Sequence, residues 1–147
     1  MQSAGITDVA HGIQLAVAPV FLLSGVGTVL SVLTNRLGRI IDRARALEGG
    51  LPAAAADLAP ALHGELRTLS RRARLVNRAI TLCTGCALLI CVVIMMLFAG
   101  EALTRDLSSL IVVLFVVALG AFIGALLAFL LEIRKATEGL RFGPGPH

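Results

Sequence analysis

The sequence contains no tryptophan or tyrosine and carries little charge: 15% of its 147 residues are charged, whereas soluble domains have about 25%. Lysine occurs only at position 135, so the other basic residues are all arginine. Without tryptophan and tyrosine, the chain cannot form the aromatic belt that membrane proteins usually have at the two bilayer surfaces. Phenylalanine and arginine are therefore left to anchor any helix at a membrane boundary.

Apolar residues, by contrast, make up 57% of the chain, and the mean hydropathy is +0.91. Three runs lack Lys, Arg, Asp and Glu, at residues 13–34, 79–100 and 107–131. A helix needs about 20 apolar residues to cross roughly 30 Å of hydrocarbon. The third run is the most apolar, and the first, which contains Pro19, is the least. The sequence predicts an all-α membrane protein with three transmembrane helices, forming a single membrane domain over residues 1–147.

Arginines are concentrated between the first two runs. Residues 35–78 contain nine of them, residues 1–12 contain no Lys or Arg, and the segment 101–106 contains only Arg105, beside two acidic residues. Loops rich in Lys and Arg remain on the cytoplasmic side of a membrane. We therefore expect residues 35–78 and the C-terminus to be cytoplasmic and the N-terminus to be outside. The absence of a basic N-terminal region also disfavours a cleaved signal peptide.

The segment 35–78 is predicted to be a cytoplasmic helical hairpin that extends the first two spans. Apolar residues recur at helical intervals over residues 35–48, and Gly49 and Gly50 are typical of a helix end. Pro60 suits the first turn of a second helix, which then continues into the second span. The third span is expected to extend to about Thr137.

A polar stripe lies along one face of the first span and its extension. It consists of Ser24, Thr28, Ser31, Asn35 and, two turns further on, Asp42. It could line a path for ions or solutes. Alternatively, small and hydroxyl residues allow membrane helices to approach closely and to hydrogen-bond to each other. Helix packing is favoured, because no acidic residue lies at mid-membrane, where such charges usually mark ion pathways.

Arginines also share faces on the two cytoplasmic extensions. Each such face could bind anionic lipid headgroups, at about 1 kcal/mol per basic residue near the surface, or an acidic partner. Alternatively, the arginines could only maintain topology and pair with acidic residues such as Asp42, Glu48 and Glu65. Nucleic-acid binding is not expected, since no aromatic residues accompany them for base stacking. The candidate contact residues are Arg36, Arg39 and Arg43, and Arg67, Arg71, Arg74 and Arg78.

The third span has a face of small residues at Gly120, Gly124 and Ala128. Small residues at every fourth position are typical of close helix–helix contacts in membranes. The neighbouring helix could belong to the same chain or to another copy. Because three spans make a thin bundle, we expect a homo-oligomer that uses this face, the polar stripe, or both.

A CxxC motif, Cys83 to Cys86, lies inside the second span. Such a motif can indicate redox or metal chemistry, but thiolates are disfavoured in apolar surroundings. Further ligands for a four-coordinate zinc site are also missing nearby. We therefore interpret these cysteines as small apolar packing residues. No catalytic residue, metal site or cofactor is predicted, and an enzyme is not expected.

Two segments, Ala18–Gly27 and Leu33–Arg45, resemble the signature block of a bacterial family of small inner-membrane proteins, a domain of unknown function. The resemblance is closest over residues 13–48 and extends more loosely through residues 71–74 and the remaining spans. It implies a three-span protein of the bacterial inner membrane and transfers no activity, substrate or catalytic residue. It also suggests the 19–45 block, which includes Asn35, Arg39, Asp42 and Arg43, as the place to look for functional residues.

Two functions therefore remain open. The first is a non-enzymatic, oligomeric scaffold or regulatory subunit whose arginine-rich hairpin contacts anionic lipid or a partner. The alternative is a homo-oligomeric channel or solute pore lined by the polar stripe.

Overall fold

Three long helices make up nearly all of the computed structural model, which describes residues 2–50, 58–103 and 107–138. They are α1 (Gln2–Gly50), α2 (Ala59–Leu103) and α3 (Ser108–Glu138). The predicted all-helical class is confirmed, as is the continuation of the first span through residues 35–48. The helix α1 also includes Gly49 and Gly50, which were predicted to lie just beyond its end. The helix α2 ends three residues beyond the predicted span. Arg105, which entered the topology argument, lies outside the described residues.

Each helix contains a segment that is long and apolar enough to cross a membrane. The most apolar 18-residue windows of α1, α2 and α3 have mean hydropathies of 2.1, 2.7 and 3.1. The third is therefore the most apolar and the first the least, as predicted from the sequence. Three such helices suggest a multi-pass membrane protein.

The outer surface of α3 is almost entirely apolar. Only 11% of its most apolar window is buried within the chain. Large side chains are exposed along its length, including Val112, Val116, Ile123, Leu127 and Leu131. An exposed apolar surface of this extent is unfavourable in water but is matched by lipid hydrocarbon.

Buried positions recur with a seven-residue period, which explains how the helices pack. The period of 3.5 residues per turn is that of left-handed helix packing, in which the same side of each helix keeps facing its neighbours. The buried residues are Gly12, Ala16, Pro19, Val26, Leu33 and Ile40 in α1; Leu69, Val76, Ala79, Cys83, Cys86, Ile90 and Val93 in α2; and Ala118, Ala125 and Glu132 in α3.

The described residues form two compact units, to both of which every helix contributes. The first combines the chain up to Leu30 with Leu82–Ile123, and its buried side chains are apolar or small. The second combines Ser31–Thr81 with the chain from Gly124 onward. Among the described residues, every ion pair lies in this second unit.

Candidate functional site

A buried carboxylate, Glu132, is held by two arginines from two other helices. Its side chain is 0% exposed. Arg72 in α2 donates a hydrogen bond from Nε to Glu132 Oε1 over 3.0 Å. Arg36 in α1 places its Nε 2.6 Å from Oε2, as an ion pair whose angles fall outside hydrogen-bond geometry. One acidic residue therefore connects α1, α2 and α3.

Burial makes this cluster energetically demanding. Removal of a charged group from water costs on the order of several kcal/mol of hydration free energy. This cost is recovered only when opposite charges and hydrogen bonds surround the group. Two guanidinium groups provide that compensation for Glu132. Their own side chains remain 28% exposed for Arg36 and 25% for Arg72, so each keeps part of its hydration. The cluster carries a net charge of one positive unit, because two arginines face one carboxylate.

Phe129, which lies one turn before Glu132 in α3, also contacts Arg36. The Arg36 guanidinium carbon lies 5.6 Å from the centroid of the Phe129 ring. A guanidinium at this distance is attracted to the negative face of the ring. Helix α3 thus holds Arg36 through a ring and a carboxylate that are three residues apart and share one face.

Beside this cluster, four arginines line one cavity of about 300 Å³. Arg36, Arg39 and Arg43 come from α1, and Arg72 comes from α2. Ile40 and Leu69, which are both buried, complete the lining. Among the described residues, no acidic side chain lines the cavity. Arg43 pairs at 2.9 Å with Glu65, which lies outside the lining. Among the described residues, Arg39 makes no ion pair.

The predicted contact arginines of α2 lie elsewhere. Arg67, Arg71, Arg74 and Arg78 are exposed. The first three contribute to a larger groove of about 620 Å³, together with apolar residues and Glu48. The proposed pairing of arginines with acidic residues is confirmed for Glu65. Asp42 and Glu48 are exposed and form no ion pair with the other described residues.

The polar stripe of α1 is exposed. Ser24, Thr28, Ser31, Asn35 and Asp42 are all exposed. Two of the hydroxyls bond to their own helix: Ser24 donates to the Val20 carbonyl and Thr28 to the Ser24 carbonyl, over 3.4 and 3.0 Å. Among the described residues, the stripe is therefore not buried against α2 or α3.

The small-residue face of α3 is only partly covered by the same chain. Gly120 is exposed, and a Cβ placed there would have no neighbour within 4 Å. Gly124 and Ala128 are half-buried. The contact within the chain instead centres on Ala118 and Ala125. The role of the Gly120 face in assembly remains a prediction about contacts between copies.

Cys83 and Cys86 occupy buried positions of the seven-residue pattern, and Cys91 is exposed. Their spacing of three residues places both on the packing side of α2. Within the described ranges 2–50, 58–103 and 107–138, no group of three or more potential metal ligands is present.

Sequence reasoning did not identify the Glu132 cluster. The predicted span ended at Leu131, so Glu132 was the first residue beyond it, and Arg72 lay off the face shared by Arg71 and Arg74. A signal was nevertheless present. Glu132 directly follows a charge-free run of 25 residues, over 107–131, and a carboxylate at such a boundary needs a cationic partner. Arg36 stands at the corresponding end of the first run.

Residues 16–142 match the family described as "Protein of unknown function (DUF2721)". This range is most of the chain, so the protein belongs to that family. It includes all the residues of the Glu132 cluster and of the arginine-lined cavity. No curated protein and no solved structure matches the chain.

Proposed function

We propose that this DUF2721 member is a non-enzymatic protein of the bacterial inner membrane, a scaffold or regulatory subunit, whose arginine-rich region binds anionic lipid on the cytoplasmic side. The observation that carries the proposal is the set of four exposed arginines on α2, directly before its apolar segment. These side chains are free of ion pairs with the other described residues. Their charges are thus available to a surface or a partner.

The orientation is part of the proposal. The distribution of arginine places the segment 35–78 and the C-terminus inside and the N-terminus outside. In this arrangement α1 and α2 both extend from the membrane into the cytoplasm and form the hairpin there. A cysteine introduced at position 55, with the three native cysteines replaced, should resist an impermeant thiol reagent in intact cells. Labelling of that residue before the cells are opened would contradict this orientation and indicate the opposite one.

Lipid attraction should fall off along α2 away from the membrane. If α2 stands upright, Arg78 lies beside the predicted span and Arg67 about 18 Å above it, at 1.5 Å per residue. The Debye length is about 8 Å in physiological salt. Arg74 and Arg78 should therefore provide most of the attraction to the headgroups, leaving Arg67 and Arg71 free to contact an acidic partner.

Replacement of the four exposed arginines (Arg67, Arg71, Arg74 and Arg78) by glutamine should release anionic lipid from the protein. We expect a loss of about 2 kcal/mol of lipid-binding free energy in low salt, mainly from the two arginines nearest the membrane. The measurement is the fraction of phosphatidylglycerol that remains with protein purified from mixed phosphatidylglycerol and phosphatidylcholine bilayers. The matched lysine variant keeps the charge and should keep the lipid. Equal enrichment in wild type and the glutamine variant would contradict the proposal.

A second candidate function is a pore formed by several copies of the chain. The observation that favours it is the exposure of the whole polar stripe, from Ser24 to Asp42, on one side of α1. In a ring of copies this face could line the symmetry axis. Ser24 and Thr28 hydrogen-bond within α1 and so need no other partner in a monomer. Exposure of the stripe alone is therefore compatible with either function.

Replacement of Ser31 by leucine distinguishes the two functions. In a pore, a leucine at each copy would narrow and dewet the path, so ion flux into liposomes should fall at least roughly tenfold. The control is Val32→Leu, one residue away and off the stripe. Absence of flux through the wild-type protein, or a purely monomeric mass in mild detergent, would eliminate the pore.

A further inference from the structure

We infer that the cavity lined by Arg36, Arg39, Arg43 and Arg72 binds a phosphate group. The inference rests on the proposed function only for its location, at the cytoplasmic headgroup layer. It adds a defined site to what would otherwise be diffuse surface attraction. The shared chemistry is a phosphate carried either by an anionic phospholipid headgroup or by a free phosphate ion.

Charge is the first argument. The lining contributed by the described part of the chain includes four guanidinium groups and no carboxylate. The acidic partners nearby, Glu132 and Glu65, neutralise two of these four charges. An excess of two positive charges therefore remains around a cavity of about 300 Å³. That volume is at the lower end of the roughly 300–1,000 Å³ of small-molecule pockets, which suits a compact anion.

The available donors are the second argument. An arginine has five N–H donors in a planar fork that matches the oxygens of phosphate. Arg36 and Arg72 both contact Glu132 through Nε. Their terminal nitrogens make no hydrogen bond with the other residues that the structure describes, so they are available to another anion. Arg39 has no ionic partner among the residues that the structure describes. Glu132 thus positions two of the arginines, and Arg39 is the uncommitted one.

The place along the helices is the third argument. Arg36 and Arg39 follow the predicted end of the first span by two and five residues, about 3 and 7.5 Å along a helix. The headgroup region of a bilayer extends roughly 5–8 Å beyond each side of the hydrocarbon. The part of the cavity that Arg36 and Arg39 line would therefore lie at the height of lipid phosphates. Ile40 and Leu69 provide an apolar wall that would exclude water from one side of a bound phosphate.

The test compares Arg39→Gln with Arg45→Gln in the full-length protein. Arg45 is exposed on the same helix and is not among the residues lining the cavity, so the two variants lose the same charge. Native mass spectrometry in a neutral detergent would measure retention of phosphatidylglycerol against phosphatidylcholine. A parallel thermal-unfolding titration would use inorganic phosphate. We expect Arg39→Gln to weaken binding about tenfold or more, as for a lost charge-assisted contact. Arg45→Gln should stay within about twofold.

Each outcome decides the matter. Retention of phosphatidylglycerol that depends on Arg39 supports the site with lipid as the source. Stabilisation by inorganic phosphate with the same dependence supports it with free phosphate as the source. Equal weakening by both variants, or binding of neither probe, overturns the inference. Arg39→Lys, which keeps the charge but lacks the planar fork, should weaken binding to an intermediate degree and guards against misfolding of the glutamine variant.

Failure of this site is distinguishable from failure of the proposed function. Loss of the exposed arginines of α2 would abolish general anionic enrichment and leave the Arg39-dependent binding in place. A protein that keeps its enrichment but shows no difference between Arg39→Gln and Arg45→Gln has a lipid-binding surface without a phosphate site.

Discussion

Replacement of Glu132 by alanine should destabilise the protein by about 3 kcal/mol. Removal of one partner from a buried ion pair typically costs about 3–5 kcal/mol, because it leaves an uncompensated charge. Here the lower end applies, since Arg36 and Arg72 keep about a quarter of their exposure and can recover some hydration. The measurement is the free energy of unfolding in mixed detergent micelles, titrated with a denaturing detergent.

Two further variants identify the cause of that loss. Glu65→Ala removes an ion pair whose partners are 61% and 43% exposed, and it should cost only about 0–1 kcal/mol. A triple variant with methionine at Arg36, Arg72 and Glu132 should recover most of the stability lost in Glu132→Ala, because it removes the stranded charges together with their partner. A Glu132→Ala protein within about 1 kcal/mol of wild type would show that the cluster contributes little to folding.

Replacement of Leu33 by alanine is expected to have the second largest effect, about 2 kcal/mol. Leu33 and Ile90 are the largest fully buried apolar side chains among the residues that the structure describes. In soluble proteins Leu→Ala in a core costs about 2–5 kcal/mol, the sum of a transfer term and a cavity term. Leu33 lies at the end of the first predicted span, where lipid is as apolar as the core. The transfer term is therefore small there, and mainly the cavity term remains.

The adjacent Val32 offers the control for this experiment. It is 49% exposed on the other side of α1, so Val32→Ala removes surface without opening a cavity. We expect a change below about 0.5 kcal/mol, as for surface substitutions in general. Equal losses for Leu33→Ala and Val32→Ala, by the same unfolding measurement, would mean that this part of α1 does not pack as described.

The sequence was sufficient for the helices because their signals are local. A charge-free run of more than 20 residues predicts a span, and two glycines after helical periodicity predict a helix end near Gly50. The family was also recognisable, since its signature is a contiguous block. The small-residue motif was less informative: the chain packs Ala118 and Ala125 inward, while Gly120 on the same helix is exposed.

The candidate site could not be assembled from the sequence because its members are far apart along the chain. Arg36, Arg72 and Glu132 come from three helices, and their contact depends on how each helix is rotated about its axis. Helical periodicity shows which residues share a face but not which faces meet. The arginine faces of α1 and α2 looked equivalent in sequence, yet Arg36 is half-buried in the cluster and Arg67 is exposed.

The position of Glu132 in the last helix has a consequence for biogenesis. Helices α1 and α2 leave the ribosome first and carry Arg36 and Arg72 without the carboxylate that pairs with them. The carboxylate arrives only when α3 has been inserted, 60 residues after Arg72. A chain truncated before α3 would thus remain strongly cationic and incompletely packed. Membrane quality control removes proteins of this kind. Completion of the fold is in this way coupled to completion of synthesis.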